Sequence, residues 1–281
     1  MRIATRASAL ALAQASSVAD LLGGAELVEV VTSGDRRRAV EDKREWVVEI
    51  EDALERGDAD LAVHSAKDVP AELPEGFALA GVPARAAPWD ALCGAGSLDD
   101  LPEGARIGTS SVRRAAALRA LRPDLRIVEL RGNVDTRLRK LADGEADAIV
   151  LALAGLQRLG REDAVGCVLD QLVPAPGQGT LLLEARLEHG TAREAAAGIT
   201  DGEAMRALVC ERALVRALGA DCHTPVGAHA VGGETLTLRA FVGKVDGSAW
   251  LRDEVSGEDP EALGAECAQR LLAAGAGELL G

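Results

Sequence analysis

The segment ADLAVHSAKDVPAELP, residues 59–74, begins with an apolar run and then places four polar residues together just before two prolines. The apolar run is typical of a strand buried on both faces of a parallel sheet. At its carboxyl end stand His64, Ser65, Lys67 and Asp68. Because open α/β sheets bind their ligands outside the carboxyl ends of the strands, the segment predicts an α/β fold with functional side chains at this edge.

Two α/β units in tandem are predicted by a weak internal duplication. In both copies short strands lead into polar turns or helices, and an Ala-Asp pair precedes a buried strand. This order predicts parallel sheets and two similar units that face each other across a cleft. The paired segments are RIATRAS (2–8) with RIGTSSV (106–112), LVEVVTSGD (27–35) with IVELRGNVD (127–135), and ALERGDADLAVHS (53–65) with KLADGEADAIVLA (140–152).

Two crossings that contain prolines, VPARAAPWDAL (82–92) and LVPAPGQGTLLLEAR (172–186), separate the units. A strand at 180–185, inside the second crossing, is predicted to return to the first sheet. The predicted division has three domains: domain 1 at residues 1–86 and 179–199, domain 2 at residues 87–178, and domain 3 at residues 200–281.

The tail after residue 200 has a different pattern. Residues 201–219 have the spacing of an amphipathic helix that ends on Gly219. ETLTLRAFVG (234–243) alternates with a period of two, and an Asp-Gly turn precedes AWLRDEV (249–255). A small α+β domain with an antiparallel sheet is therefore expected.

Composition excludes several classes of protein. The 281-residue chain carries a net charge of −14, which disfavours nucleic acid and anionic membranes as partners. No apolar run approaches the roughly 18 residues of a membrane span, and MRIATRASALALAQ (1–14) has the pattern of a first strand and helix rather than of a signal peptide. A cytoplasmic protein is expected.

The five cysteines and four histidines are scattered, so neither a disulfide framework nor a metal site is predicted.

Positive charge is concentrated in one segment. Residues 106–140 hold ten arginines and lysines against three acidic residues. One interpretation is a pocket for a small polyanionic ligand, and the other is an arginine-rich helix face whose charges lie in solvent. The composition of the segment leaves both open.

Four groups of polar residues follow predicted strands, where the free N–H groups of helix amino termini also point. Taken singly, each group has a structural alternative, such as a helix cap or a polar turn. Taken together, they place several arginines and lysines around one cleft with a single carboxylate among them. Because an arginine fork binds a carboxylate bidentately, the predicted ligand is small and carries several carboxylates. The groups are Arg6 and Ser8; Ser65, Lys67 and Asp68; Thr109, Ser110, Ser111, Arg113 and Arg114; and Arg131, Asn133 and Arg137.

Two loops add further candidates. GDRRRAVEDKREW (34–46) is charged, has no counterpart in the second unit and is predicted to be a lid beside the cleft. GADCHTPVG (219–227) places Cys222 between Asp221 and His223 in a turn-rich loop. The Cys222 thiol is either a buried structural group or a nucleophile or attachment point, and the loop alone does not decide between them.

Six motifs occur in one order along the chain: RIATRASALALAQA (2–15), AVHSAKDVP (62–70), GTSSVRRAAAL (108–118), LRGNVDTRLRKL (130–141), DAIVLALAGLQRLG (147–160) and PAPGQG (174–179). In this order and spacing they resemble the porphobilinogen deaminase family of tetrapyrrole biosynthesis. The resemblance implies a monomer of three domains, two of them folded like the halves of a periplasmic binding protein. It also implies that four porphobilinogen molecules are condensed with loss of ammonia to give hydroxymethylbilane. A dipyrromethane cofactor, attached through a thioether to Cys222, is implied as well.

The resemblance also assigns roles to residues. Asp68 is implied as the catalytic carboxylate, an electrostatic stabiliser and proton carrier beside a cationic azafulvene. The acetate and propionate groups of every pyrrole account for a basic pocket in an acidic protein. The implied cofactor-binding residues are Ser65, Lys67, Thr109, Ser110, Ser111, Arg113, Arg114 and Cys222. The residues implied for the incoming ring are Arg6, Ser8, Gln14, Lys43, Arg131, Arg137 and Arg158.

Two other functions fit the same fold. A non-catalytic, two-lobed binding module for a small polycarboxylate would need neither Asp68 nor Cys222. An enzyme of similar fold could instead use Cys222 directly as a nucleophile, but its neighbour His223 is poorly placed to act as the base. The intact mass of the purified protein separates the three functions, because only a deaminase carries a covalent dipyrrole.

Overall fold

The computed structural model describes residues 1–36, 43–221 and 223–280. The strands are β1 (Arg2–Arg6), β2 (Glu26–Val30), β3 (Leu61–Ser65), β4 (Phe77–Gly81), β5 (Asp90–Cys93), β6 (Arg106–Gly108), β7 (Arg126–Val128), β8 (Ala148–Ala152), β9 (Cys167–Leu169), β10 (Leu181–Arg186), β11 (Val226–Val231), β12 (Leu236–Gly243) and β13 (Trp250–Gly257). The α-helices are α1 (Ala9–Leu21), α2 (Ser33–Arg36), α3 (Val48–Glu55), α4 (Val112–Leu121), α5 (Val134–Ala142), α6 (Leu153–Arg158), α7 (Gly190–Gly198), α8 (Gly202–Leu218), α9 (Pro260–Ala273) and α10 (Gly277–Leu280). Short 3₁₀ turns cover Lys43–Trp46, Ala66–Asp68 and Glu162–Ala164.

The chain forms two compact units. The first comprises Met1–Ala86 and Gly179–Leu208, and the second comprises Ala87–Gln178 and Val209–Gly281. One sheet lies in the first unit and two lie in the second. The division into three domains stays a prediction. Across the described residues, no helix combines the length and the apolar character needed to cross a membrane.

The sheet of the first unit has the strand order β2-β1-β3-β10-β4. β1 is parallel to β2 and β3, and β10 is antiparallel to both β3 and β4. The predicted return of the 180–185 strand to this sheet is confirmed, but the prediction of a parallel sheet is wrong for β10. A central strand buried on both faces is apolar whichever way it runs, so the pattern of β10 does not encode its direction.

The larger sheet of the second unit repeats this arrangement with the order β7-β6-β8-β5-β9. β6 is parallel to β7 and β8, and β5 is antiparallel to β8 and β9. The predicted correspondence is therefore confirmed for β1 with β6, β2 with β7 and β3 with β8, and the structure adds that of β10 with β5 and of β4 with β9. In both units the antiparallel fourth strand, β10 or β5, follows a crossing of the chain from the other unit.

Both faces of the first sheet are covered, which explains its near-continuous apolar strands. Ile3 and Val63 pack with Val18 of α1, whereas the neighbouring Ala4 faces the opposite core with Ile50 of α3. This alternation is the period of two along a strand. The covering helices leave the strand ends as the places where polar side chains of the sheet can meet a ligand.

The tail forms the predicted α+β structure. β11, β12 and β13 make an antiparallel sheet, and α8 ends before Gly219, whose φ is 62°. The side chain of Asp259 caps α9 by accepting a hydrogen bond from the Ala262 N–H at 2.9 Å. Within the second unit, Phe241 of β12 is buried in one core with Leu118 of α4. The small sheet therefore shares its core with the larger one.

Glu211 of α8 is a buried structural carboxylate, and its loss should destabilise the second unit. It is fully buried, and it accepts hydrogen bonds from the N–H groups of Gly177 at 2.6 Å and Ala230 at 2.9 Å. Glu211→Ala leaves both donors without this partner, so we expect the free energy of unfolding in urea to fall by about 2–4 kcal/mol. Glu211→Gln keeps one acceptor oxygen and should lose less. Equal stability of the alanine variant and the wild type would contradict this role.

Candidate active site

The carboxyl ends of β1 and β3 form one polar edge of the first sheet. The two strands are parallel neighbours, with Ile3 opposite Leu61, so their ends lie side by side. A small pocket at this edge is lined by Arg6, Gln14, Trp46, Ser65 and Asp68, among others. The structure thus brings together four of the residues that the sequence analysis assigned to ligand binding or catalysis.

Short contacts order the side chains of this pocket. The amide Nε2 of Gln14, on the buried face of α1, donates a hydrogen bond to Ser65 Oγ at 2.8 Å. The Arg6 guanidinium lies over the Trp46 ring, 3.8 Å from its centroid, in a cation–π contact. Sequence reasoning did not place Trp46 in the site. Trp46 is one of only three tryptophans in the chain and stands at the end of the predicted lid. Its rarity and its position were the signals by which the sequence could have marked it as a site residue.

The 3₁₀ turn Ala66–Asp68 sets the position of Asp68. Val69 returns to extended backbone, with φ −98° and ψ 137°, as expected for the residue before Pro70. The turn therefore ends at Asp68, whose side chain is half-buried at the pocket. Lys67 lies in the same turn, half-buried. Ser8 follows β1 as predicted, and its hydroxyl caps α1 by accepting a hydrogen bond from the Ala11 N–H at 3.3 Å.

Residues on both sides of the centre of the predicted lid are bonded to α3: Ser33 directly precedes the lid, and Arg44 lies within it. The Ser33 N–H donates a hydrogen bond to Glu49 at 2.9 Å, and Arg44 pairs with Glu51 at 2.8 Å. Both carboxylates belong to α3. Residues 37–42, the centre of the lid, lie outside the described residues. Lys43 begins a 3₁₀ turn, and its side chain lies outside the described part of the chain.

The second unit carries a similar polar edge after β6 and β7. Ser111 caps α4, and Asn133 caps α5 by accepting a hydrogen bond from the Thr136 N–H at 2.9 Å. Arg137 Nη2 donates to Ser110 Oγ at 3.3 Å, which joins the two groups. The hydroxyl of Thr109, a buried residue, accepts a hydrogen bond from the Ser111 N–H at 3.1 Å. These polar groups are therefore together, as predicted, and partly engaged in capping.

Two further predicted binding residues of this unit differ in exposure. Arg131 is exposed and pairs with Glu129 at 2.5 Å. Arg158 ends α6 and is half-buried, and this burial lowers the pKa of its guanidinium.

Arg113 and Arg114 are almost fully buried on a carboxylate that sequence reasoning missed. Arg113 Nη2 and Arg114 Nη2 each lie 2.7 Å from an oxygen of Asp90. Gln178 Nε2 donates to the same carboxylate at 2.9 Å. The available signal was an acidic residue at the start of an apolar strand, since a buried carboxylate requires a cationic or hydrogen-bonding partner.

The basic segment 106–140 has structural and site-facing members. Arg106 pairs with Asp147 at 2.7 Å and Arg122 with Asp124 at 2.8 Å, while Arg119 donates to the Val245 carbonyl oxygen at 2.7 Å. These three side chains are at least partly exposed and are paired within the second unit. The interpretation of charges in solvent fits them, and the ligand-binding interpretation stays open for the arginines at the strand ends.

Three of the four described cysteines are core residues. Cys93, Cys210 and Cys267 are fully buried. Burial raises the pKa of the Cys93 thiol to about 11 and that of the Cys267 thiol to about 12. Because the thiolate is the reactive form, the raised pKa values make Cys93 and Cys267 poor nucleophiles. Cys222, the predicted attachment point, lies outside the described residues.

Comparison with known proteins decides the family. Residues 1–194 match the model "Porphobilinogen deaminase, dipyromethane cofactor binding domain", and residues 205–273 match "Porphobilinogen deaminase, C-terminal domain". The chain belongs to the porphobilinogen deaminase family. The porphobilinogen deaminase of Rubrobacter xylanophilus is 48% identical over 99% of this chain and 96% of its own. That of Roseiflexus castenholzii is 46% identical over 100% of this chain and 98% of its own. The resemblance drawn from the six motifs is confirmed.

Two solved structures resemble this chain at low sequence identity. The methionine-binding protein MetQ is 16% identical with a TM-score of 0.44, covering 70% of this chain and 89% of its own. The VFT2 domain of Bordetella pertussis BvgS is 17% identical with a TM-score of 0.39, covering 70% and 84%. At these scores the fold assignment rests on the strand order of the chain itself.

The family's dipyrromethane group can be tested against the residues of the second unit. Two arginines are buried there with one carboxylate, Asp90, which leaves an excess of positive charge. The Nε of Arg113 is buried and has no hydrogen-bond partner in the described structure. A carboxylate would satisfy both the donor and the charge. The residues therefore fit a group that carries carboxylates, as a dipyrromethane does.

Proposed function

We propose that this chain condenses four porphobilinogen molecules, with loss of ammonia, into the linear tetrapyrrole hydroxymethylbilane. The observation that carries the proposal is the pocket of the first unit, where Asp68 lies with Arg6, Gln14 and Ser65. It combines one carboxylate with a guanidinium and neutral hydrogen-bonding groups. Family membership supports this reaction over the non-catalytic binding module, which is not favoured.

Asp68 would act on the charge that develops on the substrate. Loss of ammonia from porphobilinogen leaves a cationic azafulvene, and a fixed carboxylate beside it stabilises that cation. The same carboxylate can hold the proton that the joined ring gives up. The half-buried position of Asp68 limits competition from water for both interactions.

Carboxylates of the incoming ring require cationic and polar partners. We assign this role to Arg6, Ser8, Gln14, Lys43, Arg131, Arg137 and Arg158. Trp46 supports the assignment for Arg6, because its ring holds the guanidinium in one orientation at the pocket.

Dipyrromethane, when bound, supplies the free pyrrole α-carbon to which the first incoming ring is joined. Its carboxylates would be held by the N–H and O–H donors of this chain: Ser65, Lys67, Thr109, Ser110, Ser111, Arg113 and Arg114. Cys222 would carry the thioether. Supporting this choice, the thiols of Cys93, Cys210 and Cys267 are buried in the core.

The intact mass of the purified protein, measured with porphobilinogen consumption, tests the proposal. We expect a mass above that of the sequence by one dipyrrole, and release of ammonia and hydroxymethylbilane from porphobilinogen. A protein that gains no mass after incubation with porphobilinogen and does not consume it would refute the function.

We further propose that the protein is a cytoplasmic monomer that binds neither nucleic acid nor membranes. Size-exclusion chromatography tests the oligomeric state.

Arg137→Leu should weaken the binding of porphobilinogen. A charge-assisted hydrogen bond contributes about 1.5–3 kcal/mol, so we expect KM to rise at least about tenfold. Arg161→Leu is the matched control, because Arg161 forms an exposed pair with Asp135 at 2.9 Å in the same unit. The control should keep the wild-type KM. If both variants behaved like the wild type, Arg137 would be only a structural residue.

A further inference from the structure

Asp90 joins three segments of the second unit through one buried carboxylate. It is the first residue of β5 and is fully buried. Arg113 Nη2 donates to Oδ2 at 2.7 Å, and Arg114 donates to Oδ1 from Nη2 at 2.7 Å and from Nε at 3.0 Å. Gln178 Nε2 donates to Oδ1 at 2.9 Å. The carboxylate thus contacts the first turn of α4 and the turn that precedes β10.

The turn that carries Gln178 is built for this contact. Gly177 and Gly179, on either side of Gln178, have φ values of 74° and 86°, which residues other than glycine rarely adopt. Gln178 is almost fully buried and also donates from Nε2 to the Pro88 carbonyl oxygen at 2.7 Å. The PAPGQG motif therefore serves to bring a neutral donor to Asp90.

Charge in this cluster is unbalanced. Burial raises the pKa of Asp90, but the two guanidinium groups lower it by more, so the carboxylate is ionised. The remaining bonds run to neutral groups: Arg113 Nη1 donates to the Val173 carbonyl oxygen at 2.8 Å, and Arg114 Nη1 donates to the Val150 carbonyl oxygen at 3.0 Å. Two cations and one anion leave one positive charge, and Arg113 Nε has no hydrogen-bond partner among the described residues.

We propose that Asp90 is a positioning residue that prepares Arg113 for one carboxylate of the dipyrromethane. Asp90 binds the Arg114 guanidinium and the Nη2 group of Arg113. One net positive charge and the Nε–H group of Arg113 therefore remain for the ligand. Without Asp90 the two adjacent guanidinium groups repel each other and lose their fixed orientation. The inference rests on the proposed function, since it names the residue that orders the cofactor-binding arginines.

Loading of the apoprotein tests the inference. Apoprotein is prepared in a host that makes no porphobilinogen, and porphobilinogen is then added. Intact mass gives the rate of dipyrrole attachment, and thermal melting before and after loading gives the gain in Tm. The variants are Asp90→Asn, which removes the charge, Asp90→Glu, which keeps the charge but moves it, and Arg113→Gln. Asp147→Asn is the matched control, because it breaks an exposed pair with Arg106 in the same unit.

We expect Asp90→Asn to load at least about tenfold more slowly than the wild type and to gain less in Tm on loading. Asp90→Glu should recover part of the loading rate, and Asp147→Asn should load normally. If Asp90→Asn does not fold, Arg113→Gln decides, because it leaves a neutral Asp90–Arg114 pair and should load slowly from a stable apoprotein.

Wild-type loading and an unchanged gain in Tm in Asp90→Asn would overturn the inference, even if the variant melts at a lower temperature. Wild-type loading of Arg113→Gln would overturn it as well. A wild-type protein that gains no dipyrrole mass would instead refute the proposed function, so the two failures are distinguishable.

Discussion

Replacing Asp68 with Asn should slow ammonia release in a single turnover by about 10²–10³ while leaving the melting temperature nearly unchanged. The side chain is half-buried at the pocket edge of β3, so asparagine preserves its shape and its hydrogen-bonding capacity. Only the charge is lost, and with it the stabilisation of the azafulvenium. Rapid quenching of enzyme mixed with porphobilinogen, with ammonia assayed, measures the step directly.

Two further variants make this result specific. Asp68→Glu keeps the charge but moves it by one methylene, so it should retain part of the rate. Asp58→Asn removes a half-exposed carboxylate that pairs with Arg56 in the same unit and should be fully active. A polar turn with no catalytic role predicts the opposite, namely modest loss of stability and normal turnover. Normal ammonia release by Asp68→Asn would remove this residue from the mechanism.

Cys222→Ser should abolish the covalent dipyrrole altogether. Serine keeps the size of the side chain but has no thiolate to form the thioether, so the intact mass should equal that of the sequence. Cys167→Ala is the closest control, because Cys167 is the one described cysteine that is not fully buried. Its intact mass should still include the dipyrrole. A Cys222→Ser protein that keeps the added mass would show that attachment occurs elsewhere.

The polar edges of the two sheets could be predicted because they depend on local rules. Parallel neighbours end at the same edge, so Arg6 and Asp68 meet once β1 and β3 are recognised as parallel strands. Helix caps follow short sequence signals, as Ser111, Asn133 and Asp259 show. The duplicated segments added the correspondence between the two sheets.

Other features depend on pairings between distant segments, which no local pattern encodes. Asp90 and Gln178 are 88 positions apart, near opposite ends of the continuous segment Ala87–Gln178 of the second unit. Sequence reasoning therefore assigned Arg113 and Arg114 to a ligand without finding the carboxylate that holds them. The directions of β5 and β10 were missed for the same reason, since apolar content is equal for both directions.

The antiparallel fourth strand of the first sheet has a consequence for synthesis of the chain on the ribosome. β4 pairs only with β10 within that sheet, and β3 meets β10 on the side away from β1. Until residues 181–186 emerge, the nascent first sheet has an unpaired apolar edge at β3 and no place for β4. Such an edge invites pairing with other chains, so we expect the first unit to be prone to aggregation until β10 has been made. A fragment that ends before residue 179 would carry Asp68 directly after a strand, β3, that still lacks its neighbour β10.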